Sequence, residues 1–151
     1  MSSLAPAVVR VTHRFRASAE RVFDAWLDPA MASRFLFATP TGEMVRTEID
    51  ARVGGTYVLT ERRDGEDVEH TGEYLEIDRP RRLAFTFRVP KYAQTQDRVE
   101  IDIVPLESGG CELTLTHTMP GEYAEYTDRA TEGWTSILNG LANVVGDTAS
   151  P

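Results

Sequence analysis

The chain of 151 residues has a single cysteine, Cys111. One thiol excludes an intrachain disulfide and fits a reducing compartment. Cys111 falls in an alternating strand, where buried filler is its expected role. Basic residues are also in short supply, with 16 Lys and Arg against 24 Asp and Glu and a formal net charge of −8. A phosphate-binding surface needs clustered cations, so a nucleic-acid partner is not expected. No apolar run approaches the roughly 18 residues that span a bilayer, and Met1 to Pro6 lacks the basic start and apolar core of a signal peptide. A cytoplasmic protein with no membrane contact is expected. The nucleophile elbow, the Walker loop and the dinucleotide fingerprint are missing too. No metal site and no cofactor are expected.

What is present is ordinary globular composition, 41% hydrophobic and 26% charged, enough for one domain with a real core. From Glu122 to Val145, apolar residues recur every three or four positions: Tyr123, Tyr126, Ala130, Trp134, Ile137, Leu138, Leu141 and Val145. That stripe predicts a long amphipathic helix of roughly 36 Å at ~1.5 Å per residue. Gly133 inside it is expected to mark a kink or a close backbone approach. Near the start, Val9, Val11, His13 and Phe15 alternate with Arg10, Thr12, Arg14 and Arg16, which reads as a half-buried strand. Ser18 is a candidate N-cap for a short helix, and Asp28-Pro29 closes it and opens a second.

From Met44 onward the pattern is strand after strand. Asp64-Gly65 is a hairpin signal, Asp78-Arg79-Pro80 and Ser108-Gly109-Gly110 are turns, and period-two alternation runs through Leu83, Phe85 and Phe87, through Val99, Ile101 and Ile103, and through Leu113, Leu115 and His117. One strand before the helix pair and six after it predict a seven-stranded antiparallel meander about 29 Å wide at ~4.8 Å per strand. One face is apolar and needs a cover, and the closing helix is long enough to supply it. The fold class is therefore α+β, a single domain with a curved sheet wrapped around a C-terminal helix.

Several local motifs resemble one family in order and spacing. They are "HRFRASAERVFDAWLDP" (His13 to Pro29), "IDARVGGTY" (Ile49 to Tyr57), "GEYLEIDRPRRLAFTF" (Gly72 to Phe87), "GGCELTLTH" (Gly109 to His117) and Gly133-Trp134. The pattern resembles the heat-shock-protein-90 ATPase activator homologue-like group of the START-like, Bet v 1-type (SRPBCC) superfamily, which also contains polyketide cyclases. The resemblance spans about residues 8 to 145. It implies a helix-grip fold with a hydrophobic cavity between sheet and final helix, and it implies that the first and last strands are neighbours. Arg34-Phe35 departs from the aromatic pair common after the helix pair, which alters the expected cavity mouth.

Phase selects the candidate cavity residues. Trp134, Ile137, Leu138 and Leu141 come from the helix, and Phe85, Phe87, Val99, Ile101, Leu113 and Leu115 from the sheet. Phe35, Phe37 and Tyr92 are candidates for the mouth, and Tyr57 for a polar group that orients a ligand. His13, Glu61 and His117 are in phase with the apolar residues of their strands, which makes them weak catalytic candidates if they converge. His70, flanked by Glu66, Asp67 and Glu69, is expected to be solvated. The leading expectation is a binder of a small hydrophobic molecule. A cyclase-like enzyme using the cavity His and Glu residues, a chaperone-associated interaction domain and a homodimer stay open as alternatives.

Overall fold

The computed structural model of the chain describes residues 5–39, 41–90 and 96–146. Seven strands form one antiparallel sheet: β1 (Ala7–Phe15), β2 (Glu43–Ile49), β3 (Thr56–Arg63), β4 (Glu66–Asp78), β5 (Arg82–Phe87), β6 (Asp97–Pro105) and β7 (Cys111–Met119). Their order across the sheet is β1-β7-β6-β5-β4-β3-β2. The meander therefore runs from β2 to β7 in sequence, and β1 adds itself to the β7 edge.

The local chemistry explains the elements. The Ser18 side chain accepts a hydrogen bond from the Arg21 amide at 3.2 Å and starts α1 (Ala19–Leu27). Asp28 ends that helix and accepts from the Ala30 amide at 2.9 Å, which opens α2 (Pro29–Ala32) with Pro29 in its first turn. Asp64 and Gly65 have φ of 50° and 81°, the left-handed pair that a two-residue hairpin between β3 and β4 requires. Register shifts in the β2–β3 and β4–β5 pairings interrupt the ladder where the sheet curves.

Inward-facing Tyr74, Leu83, Phe85, Val99, Ile101, Leu113 and Leu115 make the sheet side of the core. Val22, Phe23 and Trp26 of α1 close one end of it, and the last helix, α3 (Thr127–Val144), covers the middle with Trp134, Leu138 and Leu141. On the outer face Arg82 bridges Glu76, Glu100 and Asp102 and so ties β4, β5 and β6 together. The closing helix departs from its expected start. Gly121–Tyr126 is a 3₁₀ segment in which Tyr123 leaves helical geometry, with φ −100° and ψ 15°. Neither Pro120 nor Tyr126 places a side-chain oxygen on the first amides, so the apolar stripe runs on while the regular helix does not.

Gly72 occupies the crossing point of three strands. The Tyr57 hydroxyl of β3 passes over it and donates to the Thr86 carbonyl of β5 at 2.7 Å. A Cβ on Gly72 would lie 1.8 Å from that carbonyl oxygen and 2.7 Å from the phenol oxygen. Gly72→Ala is expected to destabilise the protein by about 2 kcal/mol or more, as overpacked cores do. Urea denaturation measures it, and a loss below about 0.5 kcal/mol, the range of ordinary surface substitutions, would contradict the crossing.

Candidate functional site

Helix α3 does not press on the sheet along its whole length. Its buried residues are Trp134, Leu138 and Leu141, and none of the first seven residues of the helix is buried. Where the helix stands off, a cavity of about 440 Å³ opens, lined by Phe87, Arg88, Val89, Asp97, His117, Met119, Tyr123, Tyr126, Arg129 and Ala130. A recess of about 200 Å³ adjoins it, lined by Phe37, Phe87, His117, Ala130, Gly133, Trp134 and Ile137. Shared walls at Phe87, His117 and Ala130 make them one cleft, open to solvent beside the helix start.

A hydrogen-bond chain crosses the back of the cleft. The Trp134 indole N–H donates to His117 Nδ1 at 2.9 Å, and His117 Nε2 lies 2.8 Å from Asp97 Oδ2. Indole nitrogen only donates, so Nδ1 must be the acceptor and Nε2 must carry the hydrogen that goes to Asp97. The chain joins α3 to β7 and β6 and uses both ring nitrogens. The imidazole also sits edge-on to Phe87 and Trp134, with centroids 5.9 and 5.8 Å away.

Phe37 forms the inner wall. Its ring stacks on His70 at 4.5 Å and on Phe87 at 4.8 Å, and meets Trp134 edge-on at 5.9 Å. Its backbone has φ 59°, which is an outlier for a bulky residue and costs about 1–3 kcal/mol. A polar hook holds it there. Glu61, only 1% exposed, accepts from the Thr39 amide at 2.5 Å and from the Thr39 hydroxyl at 2.9 Å. Arg63 pairs with the same carboxylate and donates to the Phe37 carbonyl at 3.3 Å. Gly42 is needed beside it, because a Cβ would come within 2.1 Å of the Glu61 carboxylate.

Of the residues selected by phase, Phe37, Phe87, Trp134 and Ile137 line the cleft together with His117. Phe35, Tyr57, Phe85, Val99, Ile101, Leu113, Leu115, Leu138 and Leu141 are buried in the packed core instead. They face inward as their phase requires, but against protein. Tyr92 lies outside the described residues. His13, Glu61 and His117 do not converge. Strands β1 and β7 are neighbours, yet His13 pairs opposite Leu113 and His117 opposite Val9, four residues or about 14 Å along the strands. His13 is half-buried beside Phe15, and Glu61 is committed to the hook. Among the described residues no three metal-binding side chains cluster. His70 is 4% exposed rather than solvated, because strand β4 turns it inward between Val68 and Gly72, and its Nδ1–H donates to the Leu59 carbonyl at 3.1 Å.

Sequence reasoning missed Asp97 and Met119 as wall residues. Both continue an alternation already evident, Asp97 before Val99 and Met119 after His117, and Asp97 pairs opposite Phe87. Tyr123, Tyr126 and Ala130 belong to the helical stripe, and nothing in the stripe itself marks where it leaves the sheet. Gly133 has no close neighbour, since a Cβ there would meet nothing within 4 Å. The expected kink or tight approach is absent, and the residue opens the cleft edge.

A sheet that grips one long helix, with an apolar cleft at the helix start, defines a helix-grip protein. The chain belongs to the family of Activator of Hsp90 ATPase homolog 1-like proteins, which it matches over residues 16–146. A Chromobacterium violaceum protein of known structure is 27% identical, with a TM-score of 0.81, over 91% of this chain and 96% of that one. A Staphylococcus aureus protein of unknown function is 18% identical with a TM-score of 0.83, over 95% of this chain and 96% of that one. An AHSA1-like protein from Aeromonas hydrophila is 19% identical with a TM-score of 0.77, over 92% of each chain. The last two support the fold alone. No protein of curated function matches the chain. Among the described residues no helix is long and apolar enough to cross a membrane.

His70 makes stability depend on pH. Burial above all, with the Arg63 charge nearby, pulls its pKa from 6.5 to about 4, so the fold keeps the ring neutral where the unfolded chain takes up a proton. The contribution is complete above pH 6.5 and is lost as the pH falls towards 4, a change of about 3 kcal/mol in all. Urea midpoints across that window should fall less steeply with pH in His70→Gln than in the parent. Equal slopes in the two proteins would contradict a buried neutral His70.

Proposed function

We propose that the protein binds one small, largely apolar molecule in the cleft beside α3. The cleft itself carries this reading: its volume of about 440 Å³ lies in the range of small-molecule sites, and aromatic and aliphatic walls surround a few fixed polar groups. Phe87, Phe37 and Trp134 offer ring faces and edges for stacking, and Met119 and Ile137 add adaptable apolar surface. Asp97 and Arg129 stand at the same walls and suit the polar end of an amphipathic ligand. Gly133 favours the same reading. A mid-helix glycine costs about 1 kcal/mol relative to alanine, and here no tight packing offsets that cost.

Proton transfer draws less support. Both nitrogens of His117 are occupied by Trp134 and Asp97, so neither is left to take a proton from a bound molecule. We read His117 as a strut that fixes the cleft wall.

Native mass spectrometry of the purified protein, followed by thermal shifts with aromatic and aliphatic compounds, tests the proposal. Binding should raise Tm in proportion to the logarithm of ligand concentration above Kd. Gly133→Leu should fill the cleft edge and weaken that binding at least tenfold, with stability unchanged or raised because the new side chain enters open space. Undiminished binding in Gly133→Leu would put the ligand elsewhere. No bound mass and no shift with any compound would count against a small-molecule site and favour a protein partner.

A further inference from the structure

Two spaces meet at Phe37. On its outer side lies the cleft, with Phe87 and Trp134. On its inner side Tyr57 stacks 6.3 Å away, and behind it Trp26, Leu36, Tyr57, Tyr74, Leu83 and Phe85 enclose a space too narrow for a water molecule. Leu36 borders the inner space and Phe37 borders the outer one, so two consecutive residues of one loop form the partition. One residue of its lining, Trp26, which meets the Phe35 ring edge-on at 5.2 Å, carries an unmet requirement. The Trp26 indole N–H is buried and has no hydrogen-bond partner, although nearly all buried donors are satisfied. The Tyr57 hydroxyl, which donates to the Thr86 carbonyl, does not accept from it at hydrogen-bond distance.

The partition is buried, and its backbone is tied by Leu36 N–H to the Ala32 carbonyl at 2.8 Å and Ala38 N–H to the Phe35 carbonyl at 3.3 Å, with a polar hook beyond them. Phe37 sits at φ 59° outside any regular element, and its backbone is retained by the Glu61 contacts to Thr39 and the Arg63 contact to its carbonyl. Release of the hook would relieve the strain of this outlier conformation.

We infer that Phe37 is a gate: when the loop of Leu36 to Thr39 lifts off the Glu61–Arg63 hook, the leading end of a ligand in the cleft enters the inner space and accepts a hydrogen bond from Trp26. This rests on the cleft-binding reading above and adds the ligand class. An indole N–H only donates, so the leading end carries an oxygen acceptor. No cation borders the inner space, so the acceptor is neutral, a ketone, aldehyde or ester rather than a carboxylate. The ligand is an elongated apolar molecule with one such group at its tip.

The chain has two tryptophans, so its indole region contains one resonance from each space: Trp134 reports on the cleft and Trp26 on the inner space. The test is a ¹H–¹⁵N titration of the full chain with methyl heptyl ketone and, separately, with decene, which has the same number of heavy atoms. The Trp26→Phe variant assigns the two peaks. The ketone should move both indoles, with Trp26 shifting downfield as its N–H gains an acceptor, and decene should leave that downfield shift out. Thr39→Val, which removes a hook bond without touching the cleft, should lower the ketone concentration needed at Trp26 by about tenfold, since the open state is more populated. Phe37→Ala should do the same, and Thr39→Val keeps the test if that variant does not fold. Movement of Trp134 alone would overturn the gate and leave cleft binding standing. Equal Trp26 shifts with ketone and decene would overturn the donor role and the proposal with it. No movement of either indole up to the solubility of the ketone would overturn both the gate and the cleft reading.

Discussion

The hydrogen-bond chain Trp134–His117–Asp97 is the constraint on which the cleft depends. On the C-terminal side of Trp134, Leu138 and Leu141 seat the helix against the core. On the other side the helix leaves the sheet, and the walls of β5 to β7 are exposed to a cavity. Trp134 is the pivot between these regimes. Its N–H is satisfied only while the helix keeps this height and rotation over β7, and a buried donor left without a partner costs about 1–3 kcal/mol. The same bond fixes the His117 tautomer, which fixes Asp97, which orders the start of β6 on the opposite wall. A polar tie thus determines the shape of an apolar site.

Among the described residues, two breaks of local preference border the cleft. Gly133 stands in the middle of a helix with nothing packed on it, and Phe37 has a left-handed backbone without being glycine. At other points sequence preference and structure agree: Ser18 and Asp28 cap, Asp64-Gly65 turns, and Gly72 yields to the Tyr57–Thr86 bond. Breaks of local preference gathered beside one cleft are what a functional constraint produces. Glu61 completes the picture. Its carboxylate is buried, but Arg63 and Thr39 satisfy it, and through them it holds a strained loop.

The frame was largely legible in the sequence, because period-two and period-3.6 patterns report which way a side chain faces. That is why the sequence pattern turns Phe87, His117 and Trp134 inward, as the structure does. Facing inward does not say what lies opposite. Leu113 and Leu115 meet the packed core, whereas His117 and Met119, on the same face of the same strand, meet open space. Height along a strand is equally silent, so His13 and His117 looked adjacent although their register separates them by four positions. His70 departs from its expectation for another reason: its acidic neighbours suggest water, but alternation along β4 turns it away from Asp67 and Glu69. Nothing in the residues around Phe37 announces its backbone conformation, which is imposed by Glu61 and Arg63 from another strand.

The fixed shape of the cleft depends most directly on which nitrogen of one imidazole carries hydrogen. Long-range ¹H–¹⁵N correlation spectra of the folded protein at neutral pH distinguish a ring nitrogen that bears hydrogen from one that accepts. The hydrogen-bond chain requires His117 to carry its hydrogen on Nε2 and to present a bare Nδ1 to Trp134. Trp134→Phe should abolish that fixed pattern while leaving the His13 and His70 signals in place. A His117 ring with hydrogen on Nδ1, or on both nitrogens, would mean that Trp134 does not bond to it. The helix would then have no polar anchor at the point where the cleft begins, and the description of the cleft as a fixed binding site would be wrong.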